Sequence, residues 1–297
     1  MLWRADNQNQ ITNMQTPLVT VAIPAYNAGA YLDYAIRSTL NQTYTNIELL
    51  LINDGSTDNT IEVMHAYTGD ARVKIINDGA NRGLIYRLNE SVRLASGKYY
   101  ARMDADDIMH PERIERQVKY LESNPSTDVV GSAFVSIDQN NRPIGVRLMQ
   151  TVFPKRLKAT CFCHPSVVGK AEWFRSNPYD PRCFRLEDLD LWKRTRGHSL
   201  FFNFREPLLF YRDIGTAQRK KYNNSMKTGI RYFLSRGEYD VVLKRLLKVT
   251  LFNVFSLIGR EDVMLNKRSK PLDKYDFTKF TSHIRNAIKP IAAKSIA

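Results

Sequence analysis

At 297 residues, with 43% apolar and 11% aromatic residues, the chain holds enough apolar material for one large α/β domain and a smaller appendage, which excludes a disordered chain. Its formal charge of +14, from 44 Lys and Arg against 30 Asp and Glu, favours anionic partners: nucleotide diphosphates, nucleic acid or anionic lipid. Cys161, Cys163 and Cys183 form neither a C-x-x-C pair nor a zinc-ligand set, and their odd number fits a reducing compartment.

Residues 1–16 read as a polar tail without the apolar core of a signal peptide. Residues 19–23 are a β-rich apolar run that ends at Pro24-Ala25-Tyr26-Asn27, and Leu32, Ile36 and Leu40 then recur at helical spacing. A second strand over 47–52 stops at Asn53-Asp54-Gly55-Ser56, and a helix capped by Ser56 or Asp58 runs to about residue 67. A third strand over 73–76, the loop Asn81-Arg82-Gly83, a helix over 84–95 and a fourth strand over 99–103 follow. Strand and helix alternating in this way predict a parallel, doubly wound sheet, whose ligands bind at the carboxyl ends of the strands. Each polar cluster lies at such an end.

Beyond the acids Asp104, Asp106 and Asp107 a helix over 111–121 opens with Pro111, and a strand covers 128–137. Residues 144–160 are a basic loop with a short helix near 154–159. Val167 and Val168 are strand-like, residues 175–186 are irregular, and residues 187–194 are helical. Residues 200–204 and 208–211 form a last pair of strands. The character changes near Arg212: two helices, over 216–236 and 239–258, are separated by Gly237. The second carries Val242, Leu246 and Val249 on one side and Lys244, Arg245 and Lys248 on another, so it either packs on the preceding domain or lies on a membrane surface. The expected organisation is a tail over 1–16, a catalytic domain over 17–212 and a basic, mainly helical region over 213–297.

Several clusters have both a chemical and a structural reading. Asp54 either accepts a hydrogen bond from a nucleotide base or ribose, or stabilises a turn. Tyr26 either packs on a base or closes a core edge; Arg82 either meets a phosphate or is a solvated loop cation. Asp104 and Asp106 stand two apart, a spacing that puts both carboxylates on one side of an extended segment, where they can hold Mg2+ or Mn2+. Their structural alternative is a helix N-terminal turn, and Asp107 is expected to stabilise the turn or cap the following helix. Glu187 and Asp188 are either first-turn acids of a helix or the source of a general base placed away from the metal. His164, beside Pro165, is an acceptor-side or phosphate contact, or purely structural.

In order along the chain, Val19-Thr20-Val21-Ala22-Ile23-Pro24-Ala25-Tyr26-Asn27, Ile36-Arg37-Ser38-Thr39-Leu40-Asn41-Gln42-Thr43-Tyr44, Asn53-Asp54-Gly55-Ser56-Thr57-Asp58, Asn81-Arg82-Gly83-Leu84, Asp104-Ala105-Asp106-Asp107 and Leu186-Glu187-Asp188-Leu189-Asp190-Leu191-Trp192 resemble the family 2 glycosyltransferases of bacterial surface-polysaccharide synthesis. The resemblance covers about residues 17–211. It implies the α/β GT-A fold, a Rossmann-like mixed sheet flanked by helices, here with a C-terminal helical extension. It also implies a nucleotide-diphosphate sugar donor, a UDP- or GDP-sugar, a divalent cation, and inversion at the anomeric carbon. Carried over by position, Pro24, Tyr26, Asp54, Arg82 and Asp104 face the donor nucleotide. Asp106, with Asp104, holds the metal, and Asp188 is the general base. His164, Glu187 and Trp192 lie on the acceptor side. Asn53 departs from the pattern, because many relatives have Asp there.

The expected acceptor is a hydroxyl of a glycan or lipid-linked saccharide. The basic C-terminal region adds an anionic membrane surface as a partner. No stretch is long enough for a continuous apolar membrane span, so the expected location is cytoplasmic, with association at the inner face of the cytoplasmic membrane. No specific nucleic-acid partner is expected. Two rivals remain. A nucleotidyltransferase would show a Gly-rich basic loop after the first strand, where Pro24-Ala25-Tyr26-Asn27 stands instead. A non-catalytic nucleic-acid binder would show basic residues interleaved with aromatics, whereas here the cations are dispersed.

Overall fold

The computed structural model describes residues 16–151, 153, 161–213, 218–258 and 276–291. Most of the expected N-terminal tail and the short helix near 154–159 lie outside the described residues. Four parallel strands come first in the architecture, in the order β3 (Val73–Asn77), β2 (Ile47–Asn53), β1 (Val19–Ala25) and β4 (Tyr99–Arg102). Every residue of β2 is buried, as a parallel strand covered on both faces requires.

The sheet then becomes mixed. β8 (Val168–Lys170) runs antiparallel to β4 and to β6 (Val129–Ile137), and β9 (Phe201–Arg212) runs parallel to β6. β5 (Ile108–Met109) closes the far edge antiparallel to β9, and β7 (Pro143–Arg147) forms a hairpin with β6 around Asn141, whose φ is +61°. A purely parallel sheet therefore holds for the first four strands only. The expected last pair of strands is one 12-residue strand. Its irregularity falls at Pro207, where the register against β6 shifts between Ser132 and Phe134. A proline has no N–H for the ladder, so the strand yields there without ending.

Helices cover both faces. On one side Leu32, Ala35, Ile36 and Leu40 of α1 (Leu32–Leu40) and Ile114, Val118 and Leu121 of α4 (Arg113–Ser123) bury against Val19, Val21 and Ile23. Opposite, Ile85, Leu88 and Val92 of α3 (Leu84–Leu94) meet Trp173 and Phe174 of α5 (Ala171–Ser176) and Leu191 and Trp192 of α6 (Glu187–Thr195). The short α2 (Thr60–His65) follows the loop after β2, where Asp58 accepts from the Thr60 N–H at 3.1 Å.

α7 (Gln218–Leu234) and α8 (Tyr239–Leu257) form a helical hairpin. Tyr232, Phe233, Val241 and Val242 fasten it to Cys183, Leu186 and Leu189 beside α6. α9 (Phe277–Ala287), for which the sequence shows no clear pattern, packs Phe280 and Ile284 on Ile108, Val135 and Phe210. No described helix is long and apolar enough to cross a membrane.

Candidate active site

The carboxyl ends of β1, β2 and β3 are level: Ala25 pairs with Asn53, and Asn53 with Asn77. Loops leaving these ends are cross-linked. Asn53 uses both ends of its amide, donating to the Asn77 side chain at 3.0 Å and accepting from the Ser56 N–H at 3.1 Å. A carboxylate in its place would lack the donor, which gives the departure from the family's Asp a structural use. Gly55 has φ +68°, and a Cβ there would lie 2.6 Å from the Asn81 nitrogen, so only glycine lets the second and third loops touch.

Asp54 is the hub of these loops. Oδ1 accepts from the Arg82 N–H at 2.8 Å, Oδ2 accepts from the Gly83 N–H at 3.0 Å, and the Arg87 Nε–H donates to Oδ1 at 2.9 Å. The Arg87 guanidinium is fully buried and also reaches Asp78 at 2.6 Å and Glu90 at 2.9 Å. Burial alone would lower its pKa; Asp78, Glu90 and Asp54 outweigh that and raise it. Asp54 thus holds the Arg82-Gly83 loop in place, and the buried Arg87 that compensates it carries no signal in the sequence. Arg82 lies on the rim, half exposed, bonded to Asp78 at 2.8 Å and over the Tyr86 ring at 5.1 Å. Tyr26 is 54% exposed on the facing loop, and Pro24 is half-buried behind it.

The second half of the site is built on Arg102, the last residue of β4, which is also buried. Its Nη1 donates to Asp188 Oδ1 at 2.9 Å and its Nη2 to Asp104 Oδ1 at 3.3 Å. One guanidinium therefore joins the acid that follows β4 to an acid on α6, 86 positions apart in the chain for Arg102 and Asp188. Burial opposes the charge on Arg102, but Asp104, Tyr179 and Glu187 raise its pKa overall. Asp188 Oδ2 is in contact with His164 Nδ1, at the start of the short 3-10 turn His164–Ser166. Burial, and then Arg102, push the His164 pKa well down; against a carboxylate oxygen, Nδ1–H is the donor.

The α4 side chains hold this turn and β4 together. Fully buried Arg113 donates to the carbonyls of Arg102 at 2.9 Å and Val167 at 3.2 Å, and Gln117 donates to that of Ser166 at 2.8 Å. Burial pulls the Arg113 pKa down to about 9. Neither residue belongs to a recognisable motif.

Asp104 lines a cleft of about 630 Å3 with Arg147, Met149, Phe162, His164 and Tyr211. Asp106 is exposed next to it. Of the two supporting roles expected of Asp107, the helix cap does not hold: α4 begins six residues later at Arg113, preceded by Glu112. The Asp107 carboxyl is buried and accepts from the Arg212 N–H at 2.8 Å, while Arg212 Nε donates to the Asp106 carbonyl at 2.6 Å. Burial, then Asp106 and Asp104, raise its pKa well above the carboxylate range. Asp107 thus ties the end of β9 to the acidic loop.

Glu187 is buried at the start of α6, and burial raises its pKa. Trp192 does not reach the cleft. It is fully buried, 4.7 Å from the Phe162 ring and stacked at 5.9 Å on Trp173, a layer behind the wall that Phe162 forms. Its acceptor-side placement is corrected: the large apolar ring serves the core.

Asp180, Cys183 and Asp190 bring three potential ligand atoms within 4.8 Å of one another. Asp190 is already compensated, by Arg194 at 3.1 Å, Arg236 at 2.8 Å and the Tyr232 hydroxyl at 2.9 Å, and Asp180 by Arg182 at 2.8 Å. On a helix, residues 188 and 190 point about 200° apart. Asp188 meets Arg102 and His164, whereas Asp190 docks α7.

The model of the family described as glycosyl transferase family 2 matches residues 20–202. The chain belongs to glycosyl transferase family 2. It is 31% identical over 295 residues to an uncharacterized glycosyltransferase of Haemophilus influenzae, covering 91% of each chain. A second relative, an uncharacterized glycosyltransferase of Methanocaldococcus jannaschii, is 31% identical over 207 residues, covering 67% of this chain and 71% of the relative. Among solved structures, S. aureus TarS 1-349 in complex with UDP-GlcNAc superposes with a TM-score of 0.60 at 15% identity, over 81% of this chain and 75% of TarS. The mannosyltransferase PcManGT from Pyrobaculum calidifontis, in complex with GDP-Man and Mn2+, superposes with a TM-score of 0.56 at 15% identity, over 93% and 86%. The fold is GT-A, as the resemblance implied, and this member of the family is a glycosyltransferase. The nucleotidyltransferase and nucleic-acid-binding rivals are not favoured.

Proposed function

We propose that this family 2 glycosyltransferase moves a sugar, with inversion and with the help of a divalent cation, from a UDP- or GDP-sugar to a hydroxyl of a glycan or lipid-linked saccharide in surface-polysaccharide synthesis. The observation that carries the reading is the Arg102 bridge: it joins buried Asp188 to Asp104, and Asp104 and the His164 that touches Asp188 both line one cleft. Donor class is further supported by the UDP-GlcNAc and GDP-Man named for two structural neighbours.

Asp104 and Asp106 offer hard carboxylate oxygens, the donor type that Mn2+ and Mg2+ take. When bound there, the cation stabilises charge on the departing diphosphate. Pro24, Tyr26, Asp54 and Arg82 border the nucleotide side, where Asp54 holds the Arg82-Gly83 backbone in place. Arg102 donates to one oxygen of Asp188, and His164 orients the other. Asp188 accepts the proton of the acceptor hydroxyl as that oxygen bonds to the anomeric carbon. The bond from that carbon to the phosphate oxygen breaks, and the nucleoside diphosphate leaves with the electron pair. Glu187, buried beside Asp188, is assigned to the acceptor side. The acceptor is presented at an anionic membrane surface.

Turnover of UDP- and GDP-sugars with Mn2+ or Mg2+ tests these roles. Asp188→Asn and Asp106→Ala are each expected to lose about 10²–10⁴-fold in kcat, with Tm preserved. Chelation abolishes the wild-type rate. Unchanged turnover in both variants would remove Asp106 and Asp188 from the chemistry.

A further inference from the structure

Among the described residues, one side of α8 is buried in the fold and the other is open. Val241, Val242 and Phe252 are buried, whereas Leu243, Leu247, Leu251, Val254, Leu257 and Ile258 are exposed, Leu243 by 69% and Leu257 by 79%. At 100° per residue these exposed positions, with Leu246, cover an arc of roughly 140°. Lys244 and Lys248 follow on one border of that arc, both exposed and, among the described residues, without an ion-pair partner. Soluble surfaces rarely carry so continuous an apolar stripe without a use for it.

We propose that this stripe of α8 lies in the interface of an anionic lipid bilayer, apolar side chains among the acyl chains and Lys244 and Lys248 at the headgroups. The residues differ from those the sequence pattern picked out, because Val242 is taken by the core and Val249 is half-buried. Charge selects this occupant over a second copy of the chain: a net charge of +14 repels another copy and is drawn to an anionic leaflet. A 19-residue helix with lysines beside an apolar arc lies on a membrane rather than crossing it, in keeping with the lack of a spanning helix among the described residues. The proposal builds on the membrane-presented acceptor proposed above, but it can be measured without acceptor or donor.

Full-length protein is sedimented with vesicles of phosphatidylglycerol and phosphatidylcholine, and with phosphatidylcholine alone, at low salt. Wild type is expected to pellet with the anionic vesicles. The triple variant Leu243→Ser, Leu247→Ser, Leu251→Ser and the double variant Lys244→Glu, Lys248→Glu are each expected to bind at least tenfold more weakly, with unchanged circular dichroism. Wild type remaining in the supernatant, or serine and wild-type forms binding alike, overturns the proposal. So does a wild-type dimer in light scattering that the serine variant splits without any change in vesicle binding, since the stripe then covers a second copy. Donor hydrolysis is followed in parallel. Its absence alongside intact vesicle binding would count against the transfer chemistry and leave the membrane face standing.

Discussion

Two buried arginines do at the residue scale what the acidic motifs cannot do alone. Arg87 compensates Asp54 and Asp78, and Arg102 joins Asp104 to Asp188. Taking away one member of a buried ion pair leaves an uncompensated charge, so Arg87→Met is expected to cost about 3–5 kcal/mol. Urea denaturation at pH 7 checks this, and a loss below about 1 kcal/mol would mean that Asp54 finds other compensation. The acids were legible because each stands in a short polar cluster following an apolar run. The arginines were not, because they lie within a helix and at the end of a strand, and their partners come together only through folding. The same reason hides Arg113 and Gln117, which bind backbone carbonyls that carry no sequence signal.

At the scale of elements, α6 serves two sides. Its start joins Asp188 to Arg102, Asp190 binds α7, and Trp192 anchors the helix under Phe162 and Trp173. Trp192→Ala is expected to cost about 3–5 kcal/mol by leaving a large core cavity. The acceptor KM of the folded fraction should stay within about twofold, because a core ring makes no acceptor contact. A normal Tm with a raised acceptor KM would return Trp192 to the acceptor side. Strand and helix existence was clear in the first hundred residues, where apolar runs are continuous and each ends in Asn, Asp or Gly. It was poorer for β5, which is two residues long, and for β7, whose five residues include Pro143 and Gly145. Both owe their strand geometry to a partner.

For the molecule as a whole, the last described helix returns to the first. Asn41 after α1 donates to the carbonyls of Ala287 and Lys289 at 3.0 and 2.9 Å, and His110 Nε2 lies 2.8 Å from His283 Nδ1. Burial, then His283, push the His110 pKa down from 6.5 to about 4, with Glu112, Arg116 and Lys279 also facing it. Between those values the unfolded chain binds a proton that the folded one refuses, so stability falls as pH drops from about 6.5 to 4, by about 3 kcal/mol in all. His110→Gln should flatten that slope. Urea midpoints at pH 7 and 4.5 measure it, and equal slopes in the two proteins would show that other groups dominate.

By itself the sequence determined the alternation of strands and helices, the family, and the strand-end acids Asp54, Asp104 and Asp106 with Asp188 beyond them. These follow from periodicity and from short motifs, which need only neighbouring residues to be read. Tertiary structure alone decided that the sheet turns mixed after β4 and that Arg102 bridges two acids. It also decided that Asp107 supports β9, that Trp192 is core, and that the open side of α8 is the Leu243–Leu247–Leu251 side. Each of these depends on which distant segment takes up a charge or covers an apolar face, and local pattern carries no record of that choice.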